Sequence, residues 1–317
     1  MTDVPWQPSA SIDHLQQRGA LLKIIRDFFD RRGYLEVDTP IMGRFGVTDL
    51  YLANIKADCR GQSYCLQTSP EYHMKRLLAA GSGPIFQLAR VFRDDELGRW
   101  HNPEFTLLEW YQLGIDHHEL MVEVDALLQT VLTCAPMIKK TYRQVFLDHV
   151  QIDPFDCSLE SLQQALVRHG LGSVLTPNEQ DRDQYLFLLM SHVVEMALAK
   201  EPAPVAVYDF PSSQAALAKV INGVAHRFEV YYRGVELANG FHELTEIEAQ
   251  RARFEDDNLR RLAKGLEQVA PDAYLLEALT HGLPACSGVA LGIERLLAIA
   301  LNQPSVAKVM AFDFSRT

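Results

Sequence analysis

The chain lacks the two commonest nucleotide signatures: it has no GxxxxGK[ST] loop and no GxGxxG run. A P-loop NTPase and a dinucleotide-binding fold are disfavoured accordingly. Cysteine is sparse, with five residues (Cys59, Cys65, Cys134, Cys157, Cys286), an odd count and no CxxC pair. That argues against a zinc knuckle or a disulfide framework and for buried thiols in a reducing compartment. No apolar run approaches the ~20 residues of a membrane span, and the opening MTDVPWQPSA has neither a basic n-region nor an apolar h-region. The expectation is a soluble cytoplasmic protein with no membrane partner. Basic charge is short too: 30 Lys and Arg face 41 Asp and Glu, a formal net charge of −11. Nucleic-acid backbones select a basic footprint, so nucleic acid is not the expected main partner. Repeats and low-complexity segments are also missing. What remains is 317 residues of ordinary globular composition, enough for one large domain or two modest ones.

Apolar spacing predicts a helix over 12–32, closed by Gly33, and a short strand over 34–37. Strands are expected over 50–55 and 63–66. A helix follows from Ser69-Pro70 to residue 78, with Pro70 at its first position. The segments 85–92 and 105–111 read as paired strands across a long polar loop, and 117–133 reads as a helix. Two helices, 159–169 and 184–199, occupy a more polar region. Strands return over 205–210 and 224–235, then a charged helix over 246–264 and an apolar strand-turn-helix over 288–302. Hairpin-joined strands do not make a βαβ series, so an antiparallel sheet flanked by helices is expected.

One segment poses a chemical question. In GRWHNPEFTLLEWYQLG (98–114), Glu109 sits between Leu108 and Trp110. A buried carboxylate without a partner is costly and either takes up a proton or finds a cation. Elsewhere Glu229 and Glu236 stand seven apart, and a turn or bulge between them lets both reach one hard cation.

Five segments resemble a known family. FFDRRGYLEVDTPIM (28–42), FRDDELGRWHNPEF (92–105) and GVALGIERLL (288–297) resemble motifs 1, 2 and 3 of the class II aminoacyl-tRNA synthetases. SPEYHMKRL (69–77) and FEVYYRGVELANGFHEL (228–244) resemble the lysyl branch in particular. The likeness spans almost the whole chain. It implies an α+β fold, a class II synthetase-like antiparallel sheet flanked by helices. It further implies a single catalytic domain over 1–317 with a helical insertion near 151–200, and a homodimer formed through motif 1. ATP is the implied co-substrate, with Mg²⁺.

The resemblance also assigns residues. Arg93 bridges the α-phosphate and the attacking carboxylate, and Arg295 holds the γ-phosphate at a helix start. Asp95, Asn102, Phe105, Glu236, Leu237 and Gly292 complete the nucleotide site, with Phe105 stacked on adenine. Glu229 and Glu236 hold the metal. Glu109, Tyr111 and Glu243 hold the substrate's side-chain ammonium, and Asn239 and Phe241 line the same pocket. Glu71 lies near the backbone amine. A diamine thus supplies the cation that Glu109 needs.

The chain departs from the lysyl pattern in four ways. Motif 1 begins by residue 28, so no anticodon-binding domain is expected before it. Ser69 replaces an alanine, placing a hydroxyl near the substrate head. Asp95 is one methylene shorter than the usual Glu. Ala290 replaces a glycine, and its methyl is expected to favour a β-amino acid over an α-amino acid. This catalytic-domain-only form resembles the ligases that join (R)-β-lysine to elongation factor P. The expected partners are therefore elongation factor P and (R)-β-lysine or lysine, with tRNA disfavoured. A truncated enzyme acylating tRNA or a small molecule, and a non-catalytic regulatory paralogue, stand as alternatives.

Overall fold

The computed structural model describes residues 6–94, 97–176 and 178–317. They gather into two compact units. The first comprises residues up to Asp116, then 130–132 and Glu243–Thr317; the second comprises His117–Gln129 and Thr133–His242.

Unit one opens with α1 (Ile12–Asp30), started by Ser11, whose hydroxyl accepts a bond from the His14 amide at 3.2 Å. Its inner side presents Ile25, Phe28 and Phe29. Two short strands follow, β1 (Leu35–Glu36) and β2 (Met42–Gly43), then the hairpin β3 (Lys56–Cys59) and β4 (Gln62–Leu66). The expected strand over 50–55 is absent: pairing begins only at Lys56. The Asp49 carboxylate accepts from the Tyr51 amide at 2.7 Å, and the Asn54 side chain takes up both backbone groups of Val47 at 3.0 Å. Such side-chain bonds compete with a strand ladder. In α2 (Glu71–Ala79), Pro70 is the capping residue rather than the first helical one.

The centre of this unit is the pair β5 (Ile85–Phe92) and β6 (Glu104–Leu113), antiparallel with Gln87 opposite Glu109. Alternation along β6 sends Thr106, Leu108 and Trp110 to one face, and Phe105, Leu107, Glu109 and Tyr111 to the other. The Trp110 face carries the aromatic core. Phe29 stacks on Phe86 with ring centroids 4.6 Å apart and meets Trp110 edge-on at 5.2 Å.

Unit two runs through most of α3 (His117–Leu132), then β7 (Ile138–Thr141), α4 (Tyr142–His149), α5 (Leu159–Arg168) and α6 (Arg182–Leu189). A π turn over Met190–Val194 leads into α7 (Glu195–Leu198). Then come β8 (Val205–Pro211), β9 (Val220–Ile221), β10 (Val224–Tyr232) and β11 (Val235–His242), in the spatial order β11-β10-β8-β7 with β9 beside β10. The helices between residues 151 and 200 bury Leu162, Leu166, Leu186 and Leu189 in one core with Tyr142, Phe146 and Val207. The expected single strand over 224–235 is a hairpin. Arg233 and Gly234 turn the chain at φ 51° and 75°, which suits a two-residue connection between twisted strands.

The chain returns to unit one with α8 (Ile247–Ala263), α9 (Ala273–His281), β12 (Cys286–Gly292) and α10 (Ile293–Ala300). α9 has no counterpart among the elements expected from apolar spacing. Asp272 caps it by accepting from the Tyr274 and Leu275 amides, and Gly282 ends it at φ 108°. β12 lies antiparallel beside β6, giving the order β1-β5-β6-β12.

An ion pair ties the ends of this unit together. Arg18 of α1 donates to Glu294 of α10 at 2.7 Å, and the other Glu294 oxygen accepts from the Thr106 amide at 2.9 Å. Both side chains are largely buried. Arg18→Ala leaves Glu294 without its cation and is expected to cost about 3–5 kcal/mol in urea unfolding. Glu294→Gln, which keeps a hydrogen-bonding side chain, is expected to cost less.

Candidate active site

On the Glu109 face, side chains from α2 and β6, with Glu243 just after β11, form an acidic cup within unit one. Glu109 is buried between two neutral donors. The Ser69 hydroxyl donates to it at 2.7 Å and the Tyr111 hydroxyl at 2.6 Å. Among the described residues, no lysine or arginine forms an ion pair with it. Burial pushes the Glu109 carboxyl up to about 7, and the charge of Glu71 adds to this against the two hydroxyl donors. Glu243 is also buried, and burial pushes it up to about 8 although Lys75 opposes the rise. Lys75 Nζ stands 2.5 Å from Glu71 Oε1 and 2.6 Å from Glu243 Oε2. Burial alone lowers an ammonium's pKa, but these two carboxylates more than compensate and the Lys75 pKa is raised.

This corrects one expectation. Glu243 and Glu71 already have a cation from the chain, so only Glu109 lacks one. Three carboxylates around one ammonium still leave an excess of negative charge. Two acceptors, Glu243 Oε1 and Gln87 Oε1, are buried without a hydrogen-bond donor among the described residues. A buried acceptor left unmade costs free energy, and an incoming ammonium would supply donors. Ser69 also differs from expectation. Its hydroxyl is committed to Glu109 and accepts from the Glu71 amide at 3.0 Å, so it orients the cup's own groups.

β12 forms the cup's neighbouring wall. Gly288 stands opposite Tyr111 and Ala290 opposite Glu109, on the same face. A Cβ at Gly288 would lie 2.2 Å from a Tyr111 ring carbon and 2.7 Å from Glu243 Oε1. Only glycine allows this approach. The Ala290 methyl packs with Phe105 against Ala89, Val91 and Leu107.

Beyond the end of β5, the Arg93 guanidinium carbon lies 5.1 Å from the Phe105 ring centroid, and Arg93 Nε donates to the Thr68 carbonyl. Arg295, in the first turn of α10, donates to the Trp100 carbonyl at 3.1 Å and contacts His101 at 2.6 Å. Gly292 caps that helix. Asn102 is buried, and both ends of its amide are engaged. It donates to the Glu104 carbonyl at 2.7 Å and accepts from the Phe314 amide at 2.9 Å. Its side chain thus holds motif 2 to the C-terminal segment. Asp95 lies outside the described residues.

Unit two holds the other carboxylates. Glu229 stands opposite Asn239, while Tyr231 stands opposite Glu236, because Leu237 is an extra residue in a β-bulge. Without it Glu236 would point to the opposite face. With it, Glu229 and Glu236 share one. Glu229 accepts from Arg227 and from the Tyr231 hydroxyl. Its carboxyl is raised by burial, with Arg227 opposing and the charge of Glu236 adding. Arg227 also donates to Asn239 at 3.2 Å and lies 6.0 Å from the Phe241 ring centroid, so it gathers this face.

Residues 6–316 match the profile of the class II tRNA synthetases (D, K and N). The chain belongs to this family. It is 50% identical over 325 residues to the elongation factor P–(R)-β-lysine ligase of Vibrio cholerae serotype O1, covering 100% of both chains. It is 51% identical to the protein of that name from Edwardsiella ictaluri and 50% to that from Hamiltonella defensa, with 98% of each chain covered in both cases. The α+β fold expected from the five segments is that of this class II family, with its mostly antiparallel strands and flanking helices.

Four residues that shape the cup in unit one or the carboxylate face in unit two were not singled out by sequence pattern. Lys75 had a readable signal, since it follows Glu71 by four residues on a helix. Arg227, Gln87 and Gly288 had none, because their significance comes from strand register.

Two outcomes follow for the cup. Gly288→Ala is expected to displace the Tyr111 ring and abolish binding of a diamino acid in calorimetry. The raised Glu109 carboxyl also sets a pH dependence. Glu109 holds its proton more tightly folded than unfolded, where carboxyls titrate near 4.5. Its contribution to stability is complete below that value and is lost as pH rises through about 7. Unfolding at pH 5 and pH 9 is expected to show the unliganded chain less stable at the higher pH, by on the order of 3 kcal/mol. Glu109→Gln is expected to flatten the slope.

Proposed function

We propose that the chain is an ATP-dependent ligase that activates (R)-β-lysine, or lysine, as its adenylate and passes it to a lysine side chain of elongation factor P. The observation that carries this reading is the cup: two buried carboxylates and a partly buried third, one internal ammonium, and Glu109 with only neutral donors. Such a site binds a guest that brings its own positive charge. The names of the relatives supply the acceptor.

The chemistry needs no side-chain nucleophile. The amino acid's carboxylate attacks the α-phosphorus of ATP, and pyrophosphate leaves. The acceptor amine then attacks the acyl carbon of the adenylate, AMP leaves, and an amide forms. Arg93 is assigned to the α-phosphate and Arg295 to the γ-phosphate, where fixed positive charge stabilises the transferring group. Phe105 is assigned to the adenine face and Ala290 to the amino-acid end. Glu229 and Glu236, brought to one face by the bulge, fit a hard divalent ion. Mg²⁺ held there supplies charge neutralisation to the phosphates. Asn239, Phe241 and Leu237 are assigned to the walls of the substrate and nucleotide sites. The reading includes a homodimer through the motif 1 segment, a cytoplasmic location and one catalytic domain, of which the helices over 151–200 form an insertion. Among the described residues, no helix is long and apolar enough to cross a membrane.

ATP–pyrophosphate exchange across a panel of amino acids, followed by intact mass of elongation factor P and of tRNA after incubation, tests the reading. Exchange dependent on a diamino acid and a mass gain on elongation factor P are expected. A gain on tRNA alone would favour a truncated synthetase, and no exchange a silent paralogue. Arg93→Ala is expected to lower kcat for exchange by at least about 100-fold. Ala290→Gly is expected to move the β-to-α preference toward lysine by about 1–3 kcal/mol, read as the ratio of kcat/KM values. An unchanged ratio removes the methyl from the specificity argument.

A further inference from the structure

Unit two contains a second constellation that the ligase chemistry does not use. His117 at the start of α3, His226 in β10 and His242 at the end of β11 each direct one ligand atom to a common point, with these atoms within 4.8 Å of one another. Three features show that the arrangement is built rather than incidental.

The first is the state of His117. It is 2% exposed, and its Nε2 lies 3.1 Å from Asp209 Oδ1. With the Nε2 proton donated to that carboxylate, Nδ1 carries the lone pair. Nδ1 is buried and has no hydrogen-bond partner among the described residues. A carboxylate behind one imidazole nitrogen, with the other nitrogen buried and unpartnered, is the arrangement that orients a metal-bound histidine.

The second is a β-bulge. Between the register pairs Ala225–Phe210 and Phe228–Tyr208, two residues of β10, His226 and Arg227, face one residue of β8, Asp209. Asp209 has φ 63°, a left-handed conformation that an aspartate in a strand rarely adopts. The same irregularity therefore sets the carboxylate behind His117 and re-aims His226, whose ring centroid lies 4.7 Å from that of His117.

The third is a backbone clamp. The Lys219 amide donates to the His242 carbonyl at 2.8 Å, and the His226 amide donates to the Lys219 carbonyl at 2.9 Å. One residue thereby fixes the spacing of two of the histidines.

We propose that His117, His226 and His242 form a binding site for a divalent d-block cation, zinc above all, with Asp209 as the positioning residue of His117. Imidazole nitrogens suit such ions, and three of them with solvent in the fourth position make a tetrahedral set. At metal–nitrogen distances of about 2.0–2.1 Å, tetrahedral ligand atoms stand roughly 3.4 Å apart. The histidines reach that spacing from at most 4.8 Å by closing no more than about 1.4 Å, which is within the range of side-chain rotation. The ion joins the first residue of α3 to β10 and to the last residue of β11, immediately before Glu243. The site is separate from the Glu229 and Glu236 pair and stands whether or not the ligase reading holds.

The test uses the untagged full-length chain, treated with chelator and dialysed, then titrated with Co²⁺ and, in a calorimeter, with Zn²⁺. The expected result is one ion per chain, intense visible Co²⁺ bands of a four-coordinate site displaced by Zn²⁺, and a rise in Tm with Zn²⁺. His226→Gln and His242→Gln, checked for native circular dichroism, are each expected to abolish the bands. Asp209→Asn is expected to weaken affinity about 10–100-fold. His118→Gln is expected to leave the bands intact; His118 neighbours His117 and Asp209 in an alternative grouping. No saturable Co²⁺ signal in the parent chain overturns the proposal. So do bands that survive both His226→Gln and His242→Gln, or bands lost in His118→Gln alone.

Discussion

Lys75 lies between Glu71 and Glu243, at 2.5 and 2.6 Å, with 2% of its side chain exposed. The rest of the site depends on that one buried ammonium. Without it, three carboxylates would share a buried volume, and at least one would have to take up a proton. With it, two are neutralised where they stand and the third, Glu109, is left to the Ser69 and Tyr111 hydroxyls. A charged partner for Glu109 would have closed the site. Two neutral donors hold the carboxylate in place, yet leave burial to lift its pKa toward neutrality. Its state is therefore set by whatever cation arrives. A buried ion pair contributes little net stability, so the Lys75 arrangement is better understood as organising the site than as strengthening the fold.

β6 makes the cup possible because its two faces do different work. Leu108 and Trp110 anchor one face in the aromatic core with Phe29 and Phe86, and this fixes the strand's register against β5 and β12. A slip of one residue would put Trp110 in the cup and Glu109 in the core, so the core itself specifies where the carboxylate points. Gly288 then lets β12 approach the Tyr111 ring at a distance no side chain would permit. Core packing on one face thus supplies the precision of the polar site on the other.

What is legible in the sequence follows from period and local chemistry. The apolar run over 105–111 gives the strand β6, and a carboxylate at Glu109 between Leu108 and Trp110 by itself calls for a cation. The seven-residue spacing of Glu229 and Glu236 implies a turn or bulge, and both exist in the β10–β11 hairpin. α9 is legible in principle, since Asp272 precedes an apolar run and Gly282 follows it. What stays hidden are facts of tertiary pairing. Asn102 is assigned to nucleotide by resemblance, but both ends of its amide are engaged by the chain. Lys75 looks like one more charge on a helix, and nothing local says that Glu243, 168 residues later, meets it. His117, His226 and His242 form no spaced motif, because three separate elements bring them together.

The hairpin strand β10 is irregular on both of its edges, and the two irregularities do comparable things. Against β11 the extra Leu237 turns Glu236 onto the face of Glu229. Against β8 the doubled His226 and Arg227 stand over Asp209 in its left-handed conformation. A regular ladder would have been more stable, since each bulge forfeits pairing and a non-glycine residue at positive φ costs on the order of 1 kcal/mol or more. Both departures bring polar side chains together, Glu229 with Glu236 and Asp209 with His117. Arg227 shows the economy of the arrangement. As one of the two bulged residues opposite Asp209, it also bonds Glu229, Asn239 and the Gln214 carbonyl. One strand therefore positions the carboxylate pair on one side and the histidine cluster on the other, and the irregular pairing that costs stability is what gives unit two its chemistry.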